Sequence, residues 1–316
     1  ESRTMKKGIS LSLVVLLVVS AFATAATRRV PDDYDTIQDA IDAAIDGDTV
    51  LVADGTYTGE GNRDIDFLGK AITVKSEGGP KECIIDCDGT EEEPHRGFYF
   101  HNDEDEYSIL SGFTIINGYA GGHSSRTGCG GGIFCSNSSP IITNCIIRGN
   151  SAEFDGGGIV CKTSSPNIIN CTISTNTARD GGGIFISSRR LIPVITNCTI
   201  SGNLSRDRGS GINCFSGNPM IINCTITGNT CEWKWGDGGG GIYCDSGNQQ
   251  ITNCIVRDNT HSEINAAGAM VTYCNVKGGW EGEGNIDDDP CFAFAADYHI
   301  MPGSACIDAG TNTPVG

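Results

Sequence analysis

The chain has 316 residues, among them 44 glycines and 16 cysteines, only 7% aromatic residues and a formal charge of −18. That glycine-rich, aromatic-poor mix fits a turn-rich repeat better than a globular core built from large side chains. The acidic balance excludes nucleic acid and anionic membranes as partners and leaves Ca²⁺, cationic groups and neutral glycans.

The N-terminus reads as a secretory signal peptide over residues 1–25, with Glu1 to Thr4 an upstream remnant and Met5 the start. Lys6 and Lys7 form the basic region. The apolar run from Ile9 to Phe22 is short for a membrane span, and Ala23-Thr24-Ala25 is the cleavage site. No second such stretch follows, so the mature chain is expected to lack a membrane span and to be secreted or held at the cell surface. Residues 36–46 predict an amphipathic helix. Ile37, Ala40, Ile41, Ala44 and Ile45 share one face, Asp35 with Gln38 resembles a capping box, and Gly47 is a stop. This helix is expected to plug the first coil of the repeat that follows.

Five stretches repeat one pattern, beginning at Pro140, Pro166, Pro193, Pro219 and Gln249 and containing Asn-Cys-Ile or Asn-Cys-Thr. Their Asn residues, Asn144, Asn170, Asn197, Asn223 and Asn253, are 26, 27, 26 and 30 residues apart. A fixed period of this length means stacked supersecondary units. A glycine-rich triplet precedes each unit and is followed by Ile133, Ile159, Ile184, Ile212 or Ile242, with 11, 11, 13, 11 and 11 residues from that Ile to the Asn. The nearly constant half predicts strands in register, and the variable half predicts outward loops. Apolar residues alternate with period two, which predicts three short strands per unit rather than helices. Stacked in parallel, about nine coils give an all-β, right-handed parallel β-helix ~40 Å long over residues 26–284. Residues 285–316 break the repeat and read as a C-terminal cap or linker.

The columns suggest roles. Ile142, Ile168, Ile195, Ile221 and Ile251 are expected inside. The bend column, Asn144 to Asn253, is expected to adopt the left-handed conformation and to ladder through its amides, turned inward so that the Asn-x-Thr sequons at Asn170, Asn197 and Asn223 are shielded. A second column, Asn150, Asn176, Asn203, Asn229 and Asn259, is expected to end the third strand. Cys145, Cys171, Cys198, Cys224 and Cys254 form an inner ladder read as reduced thiols. Cys83 with Cys87, and Cys291 with Cys306, are the expected bridges.

The stretch from Val30 through Thr36-Ile-Gln-Asp to Thr58-Gly-Glu resembles the N-terminal cap and first coil of the pectin-lyase-like superfamily. The Asn-Cys-Thr-Ile coils resemble the right-handed parallel β-helix repeat. The tail from Asp289-Pro-Cys-Phe to Asp308-Ala-Gly is similar to the end of bacterial surface β-helix proteins that continue into a sorting or anchoring region. The resemblance implies fold more than activity, because this fold hosts lyases, hydrolases, esterases, adhesins and structural proteins. Polygalacturonases resemble one another in an adjacent Asp pair and Gly-His-Gly. None of His95, His101, His123, His261 and His299 lies between glycines, and Asp287-Asp288-Asp289 falls outside the coils.

Three groups are candidates for chemistry. Asp155, Asp180, Asp207 and Asp237 stand just before glycine triplets and form an acidic edge suited to Ca²⁺, or simply to solvated turns with Arg179 and Arg208 neutralising some of the charge. Phe134, Phe185 and Tyr243 are outward positions of the first strand, and Trp233 and Trp235 lie in the longest loop, together suited to stacking on sugar rings. Lys162 and Lys234 near that face are candidate bases. The reading that follows is a polysaccharide-binding or cell-surface-glycan-binding protein without catalysis. The alternatives are a polysaccharide lyase or glycoside hydrolase, and a structural fibre unit with self-association.

Overall fold

The computed structural model describes residues 24–122, 127–233, 238–294 and 297–311. The signal-peptide reading up to residue 23, and the candidates Lys234, Trp235 and Asp237, lie outside them.

Each coil runs through four sheets, illustrated by the unit that starts at Ile133. Ile133–Ser136 belongs to an eight-stranded sheet 1, Ile141–Thr143 to a ten-stranded sheet 2, Ile146–Arg148 to a nine-stranded sheet 3, and Ser151–Ala152 to a five-stranded sheet 4. Every neighbouring pair in these four sheets is parallel, and equivalent residues stack, as in Ile142↔Ile168 and Ile147↔Ile173. The fourth sheet was not expected from the sequence, which reads three strands per coil. Its strands are mostly two residues long, below the length at which a period shows.

The expected inner Ile columns are fully buried: Ile142, Ile168, Ile195, Ile221 and Ile251, then Ile147, Ile173, Ile200, Ile226 and Val256. They join the inward Cys and the N-terminal Phe67, Phe98, Phe100 and Phe113 in one core that runs the length of the stack. Burying each such aliphatic side chain contributes about 1.5–3 kcal/mol, so no single coil is stable alone but the stack is.

The glycine triplets are explained by close approach. A Cβ on Gly158 stands 2.6 Å from the carbonyl oxygen of Gly183 in the next coil, and one on Gly183 stands 2.6 Å from that of Gly211. The coils touch backbone to backbone here, and any side chain forces them apart.

The helix α1, Ile37–Ala43, buries Ile37, Ala40 and Ile41 against the first strands of sheets 1 and 2. Its cap differs from the expected Asp35 and Gln38 pair. Thr36 is the N-cap, its Oγ1 accepts from the Asp39 N–H at 3.1 Å, and it donates to Asp39 Oδ2 at 2.7 Å. Gln38 instead binds the neighbouring strand: its Oε1 accepts from the Asp66 N–H at 2.9 Å and its Nε2 donates to Asp66 O at 3.1 Å. Among the described residues no helix is long and apolar enough to cross a membrane.

The two Asn columns exchange the roles read from the sequence. Asn144, Asn170, Asn197, Asn223 and Asn253 do adopt φ between +53° and +56°. Their side chains nevertheless point outward, exposed at the first four positions and half-buried at Asn253. Only Asn170 Nδ2 reaches Asn144 Oδ1, at 3.5 Å, so this column is not a ladder and its sequons are not shielded. The second column is the ladder. Asn150 Nδ2 donates to Asn176 Oδ1 at 3.1 Å, Asn176 to Asn203 at 3.1 Å, Asn203 to Asn229 at 3.0 Å and Asn229 to Asn259 at 2.8 Å. Left-handed residues just before it, Gly149, Thr175, Gly202, Gly228 and Asp258, shift the inward-outward parity by one.

All sixteen cysteines are free thiols. Cys83 and Cys87 both face inward along one extended segment, four residues or about 13 Å apart, beyond the reach of a bridge. Cys306 Sγ accepts from Asn275 Nδ2 at 2.9 Å instead of pairing with Cys291. The inner Cys145 to Cys254 column is buried, and its thiols close the bends: Cys198 Sγ donates to Thr196 O at 3.3 Å and Cys224 Sγ to Ile222 O at 3.2 Å. On sheet 1, where Cys161 stacks on Cys135, burial pushes the Cys161 thiol up to about 12.

Past Ile286 the chain leaves the stack. Phe292–Phe294 and Asp297–Ile300 form an antiparallel pair, and the tail returns along the outside. There Thr311 N donates to Asn253 Oδ1 at 2.9 Å, and Asn253 Nδ2 donates to Thr311 O at 3.0 Å.

Candidate functional site

A groove of about 620 Å³ lies on the outer face of sheet 1. Phe185 and Asn213 in its lining belong to the outward column Phe134, Val160, Phe185, Asn213 and Tyr243, which strand alternation stacks in register. The expected platform of exposed aromatics is not there. Phe134 is 2% and Phe185 6% exposed, because Cys129 and the half-buried Tyr99 and Phe154 pack over the column as a second apolar cluster. Aromatic surface comes instead from Trp233, 37% exposed, and from Phe215, 52% exposed, which sequence reading missed. Phe215 follows Cys214 within the strand Ile212–Ser216, where the ladder slips by one residue against its neighbour. That slip is not visible in the repeat. Tyr243 is half-buried and donates its hydroxyl to Asp245 Oδ1 at 2.7 Å.

The acidic edge forms, with a cation at its centre. Asp155 and Asp180 bridge in parallel on adjacent coils. Arg179 Nε lies 3.3 Å from Asp180 Oδ2 and 3.7 Å from Asp207 Oδ2, and its Nη2 lies 3.9 Å from Asp155 Oδ1. The guanidinium sits 4.7 Å above the Phe154 ring. It supplies positive charge between the carboxylates, as the solvated-turn reading with Arg179 expects. Among the described residues no group of three or more His, Cys, Asp or Glu stands in metal-binding geometry. Lys162 Nζ is 3.1 Å from Asp155 Oδ2 and 5.8 Å and 6.0 Å from the centres of the Phe185 and Phe134 rings. Further along, Arg208 Nη1 is 3.4 Å from Asp245 Oδ1.

Burial pushes Asp180 up to about 6, against the pull of Arg179 and with a smaller push from Asp155 and Asp207. Asn213 Nδ2 donates to Asp180 Oδ1 at 3.3 Å, while Asn213 Oδ1 is buried with no partner among the described residues.

A flat parallel-sheet face with a polar groove on a solenoid is the architecture of right-handed β-helix proteins. The family model described as "Right handed beta helix region" matches residues 50–239 and again 132–286, and the chain belongs to this family. A solved structure titled "Crystal structure of pectate lyase Pel9A" is similar, with a TM-score of 0.57 and 19% sequence identity, covering 84% of this chain and 74% of that one. At that identity the likeness concerns the fold. No curated protein matches the chain.

Proposed function

We propose that the protein is an exported β-helix that binds polysaccharide in the groove on sheet 1, without cleaving it. The observation that carries this reading is the pair of exposed aromatics, Phe215 and Trp233, beside a network of paired Asp and Arg side chains. Aromatic faces stack on sugar rings, and the network offers hydroxyl groups both donors and acceptors at fixed positions. Asp155, Asp180, Asp207 and Asp245 outnumber Lys162, Arg179 and Arg208, and each of these cations is already ion-paired. A polyanion finds little attraction there, so the favoured ligand is a neutral polysaccharide or cell-surface glycan. Export rests on the residue 1–25 pattern.

Cleavage is the second reading, favoured by one observation. Asp180, with a pKa of about 6, holds a proton in part of the population near neutral pH, as a general acid must. Incubation of the chain from residue 26 with neutral and acidic polysaccharides, with and without Ca²⁺, separates the readings. Retention without new chain ends is expected. Phe215→Ala with Trp233→Ala should weaken retention about tenfold or more, the loss of ~1.4 kcal/mol. Unchanged retention by that double variant removes the groove from consideration, and Ca²⁺-dependent unsaturated ends replace binding with lyase chemistry.

A further inference from the structure

Cys129, Lys162 and Asp155 meet at the edge of the groove in a closed triangle. Lys162 Nζ donates to Cys129 Sγ at 3.2 Å, Cys129 Sγ donates to Asp155 Oδ2 at 3.4 Å, and Lys162 Nζ lies 3.1 Å from the same Asp155 oxygen. The geometry points to a covalent oxidative link between Cys129 and Lys162, in which one oxygen atom bridges the sulfur and the side-chain nitrogen.

Three features favour this product over the usual fates of a thiol. The thiol is fully buried, so bulky thiols and disulfides are excluded while dioxygen is not. The apolar side chains around it are Phe134, Val160 and Phe185, with Tyr99 and Phe154 at the margin, so no second cysteine belongs to its cluster to form a disulfide. The nucleophile in contact with sulfur is the Lys162 amine, steered by the Phe134 and Phe185 rings on one side and the Asp155 carboxylate on the other. Burial raises the Cys129 thiol and Lys162 lowers it, which agrees with an S–H that donates to Asp155 in the reduced state.

The reaction balances with dioxygen as the oxidant. The Cys129 S–H and one Lys162 N–H are broken, S–O and O–N bonds form, and the O–O bond breaks. One oxygen atom stays as the bridge and the other leaves as water. Sulfur and nitrogen each give up two electrons, matching the four that dioxygen accepts, and the extra proton of the ammonium passes by way of Asp155 to solvent. The link removes a cation from the groove and leaves Asp155 with Arg179 alone, so it reports the redox state of the surroundings at the binding face. It does not depend on what the groove binds.

The test uses the chain from residue 26, reduced, then divided between argon and oxygenated buffer, followed by intact mass and peptide mapping. The expected product is one peptide pair containing Cys129 and Lys162, heavier by one oxygen less two hydrogens, formed only under oxygen and reversed by a dithiol once the chain is unfolded. Lys162→Arg should abolish the pair in a chain that melts like the parent, and Cys129→Ser should do the same. Exposed Cys291 is the control that oxidation has occurred. Recovery of Cys129 as a free thiol, or as a sulfinic or sulfonic acid unlinked to Lys162, while Cys291 is oxidised overturns the assignment.

Discussion

Asn203 Oδ1 accepts two hydrogen bonds from Asn176, one from its backbone N–H at 3.0 Å and one from its Nδ2 at 3.1 Å, with no exposed surface on either residue. Asn203 Nδ2 in turn reaches Ile173 O at 2.9 Å. One amide thus satisfies a backbone donor on one coil and a carbonyl on the same coil's preceding strand, which the turn itself leaves unpaired.

Replacing that amide by a shape-matched apolar group orphans both backbone atoms. Asn203→Leu is expected to cost about 3 kcal/mol or more, since each unmet buried group costs ~1–3 kcal/mol. Asn197→Ala, on the outer bend at φ +54°, loses only the left-handed preference, about 1 kcal/mol. Urea unfolding of the two variants checks the order, and equal losses would show that the inner column is not the ladder that holds the coils.

The difference between these two columns marks what the sequence shows and what it conceals. Period, parallel stacking and the inner Ile column follow from the spacing of Ile142 to Ile251 alone. Which Asn faces inward depends on a single left-handed residue, and Gly149, Gly202 and Gly228 before the inner column were the available signal. The groove was partly legible: Asp155, Asp180 and Lys162 come together where their column positions put them. Arg179 was legible as a neutraliser of the acidic edge, and the structure pairs it with Asp155, Asp180 and Asp207. Asp245 and Phe215 were not legible, because side-chain reach and local slips in register carry no period. Phe134 and Phe185 were misread as exposed because a strand pattern tells inside from outside and says nothing of what covers the outside.

Asp180 gives the groove a pH dependence with a definite sign. Its carboxyl titrates near 6 in the folded chain, against 3.8 ordinarily. Between those values the native state holds a proton that the unfolded state has released, so stability falls as pH rises through the window and levels off above it. Asp180→Asn removes this term. The variant should gain on the parent from about pH 4 to pH 7, with a slope of at most ~1.4 kcal/mol per pH unit. The difference between the two melting curves is the measurement, since every other titrating group is common to both chains. A flat difference across that range would show that Asp180 titrates as an ordinary surface aspartate.

The thiols should divide sharply. Of sixteen cysteines, Cys291 is exposed and Cys306 half-buried, and the other fourteen are buried. A chromogenic disulfide reagent added to the reduced native protein is expected to titrate those two quickly and the rest only on unfolding. Rapid reaction of many more thiols would mean that the inner columns open readily. Fewer than sixteen in the reduced, unfolded chain would point to irreversible oxidation.

Arg179 allows the strongest test of how the acidic edge is neutralised. In the parent its guanidinium stands within 4 Å of three carboxylates. Arg179→Ala leaves Asp180 and Asp207 with no cation among the described residues and Asp155 with Lys162 as its ion-pair partner, with about 1 kcal/mol of repulsion per close pair in water and more where they are buried. A melting temperature several degrees lower is expected. Millimolar Ca²⁺ should restore much of it, because an ion that binds only the folded state stabilises that state by mass action. The same Ca²⁺ should leave the parent unmoved, since the arginine already occupies the position between the carboxylates. A parent that is stabilised as much as the variant would mean that these aspartates accept the metal with Arg179 in place, and the triad would then have to be read as a cation site that the arginine helps to shape.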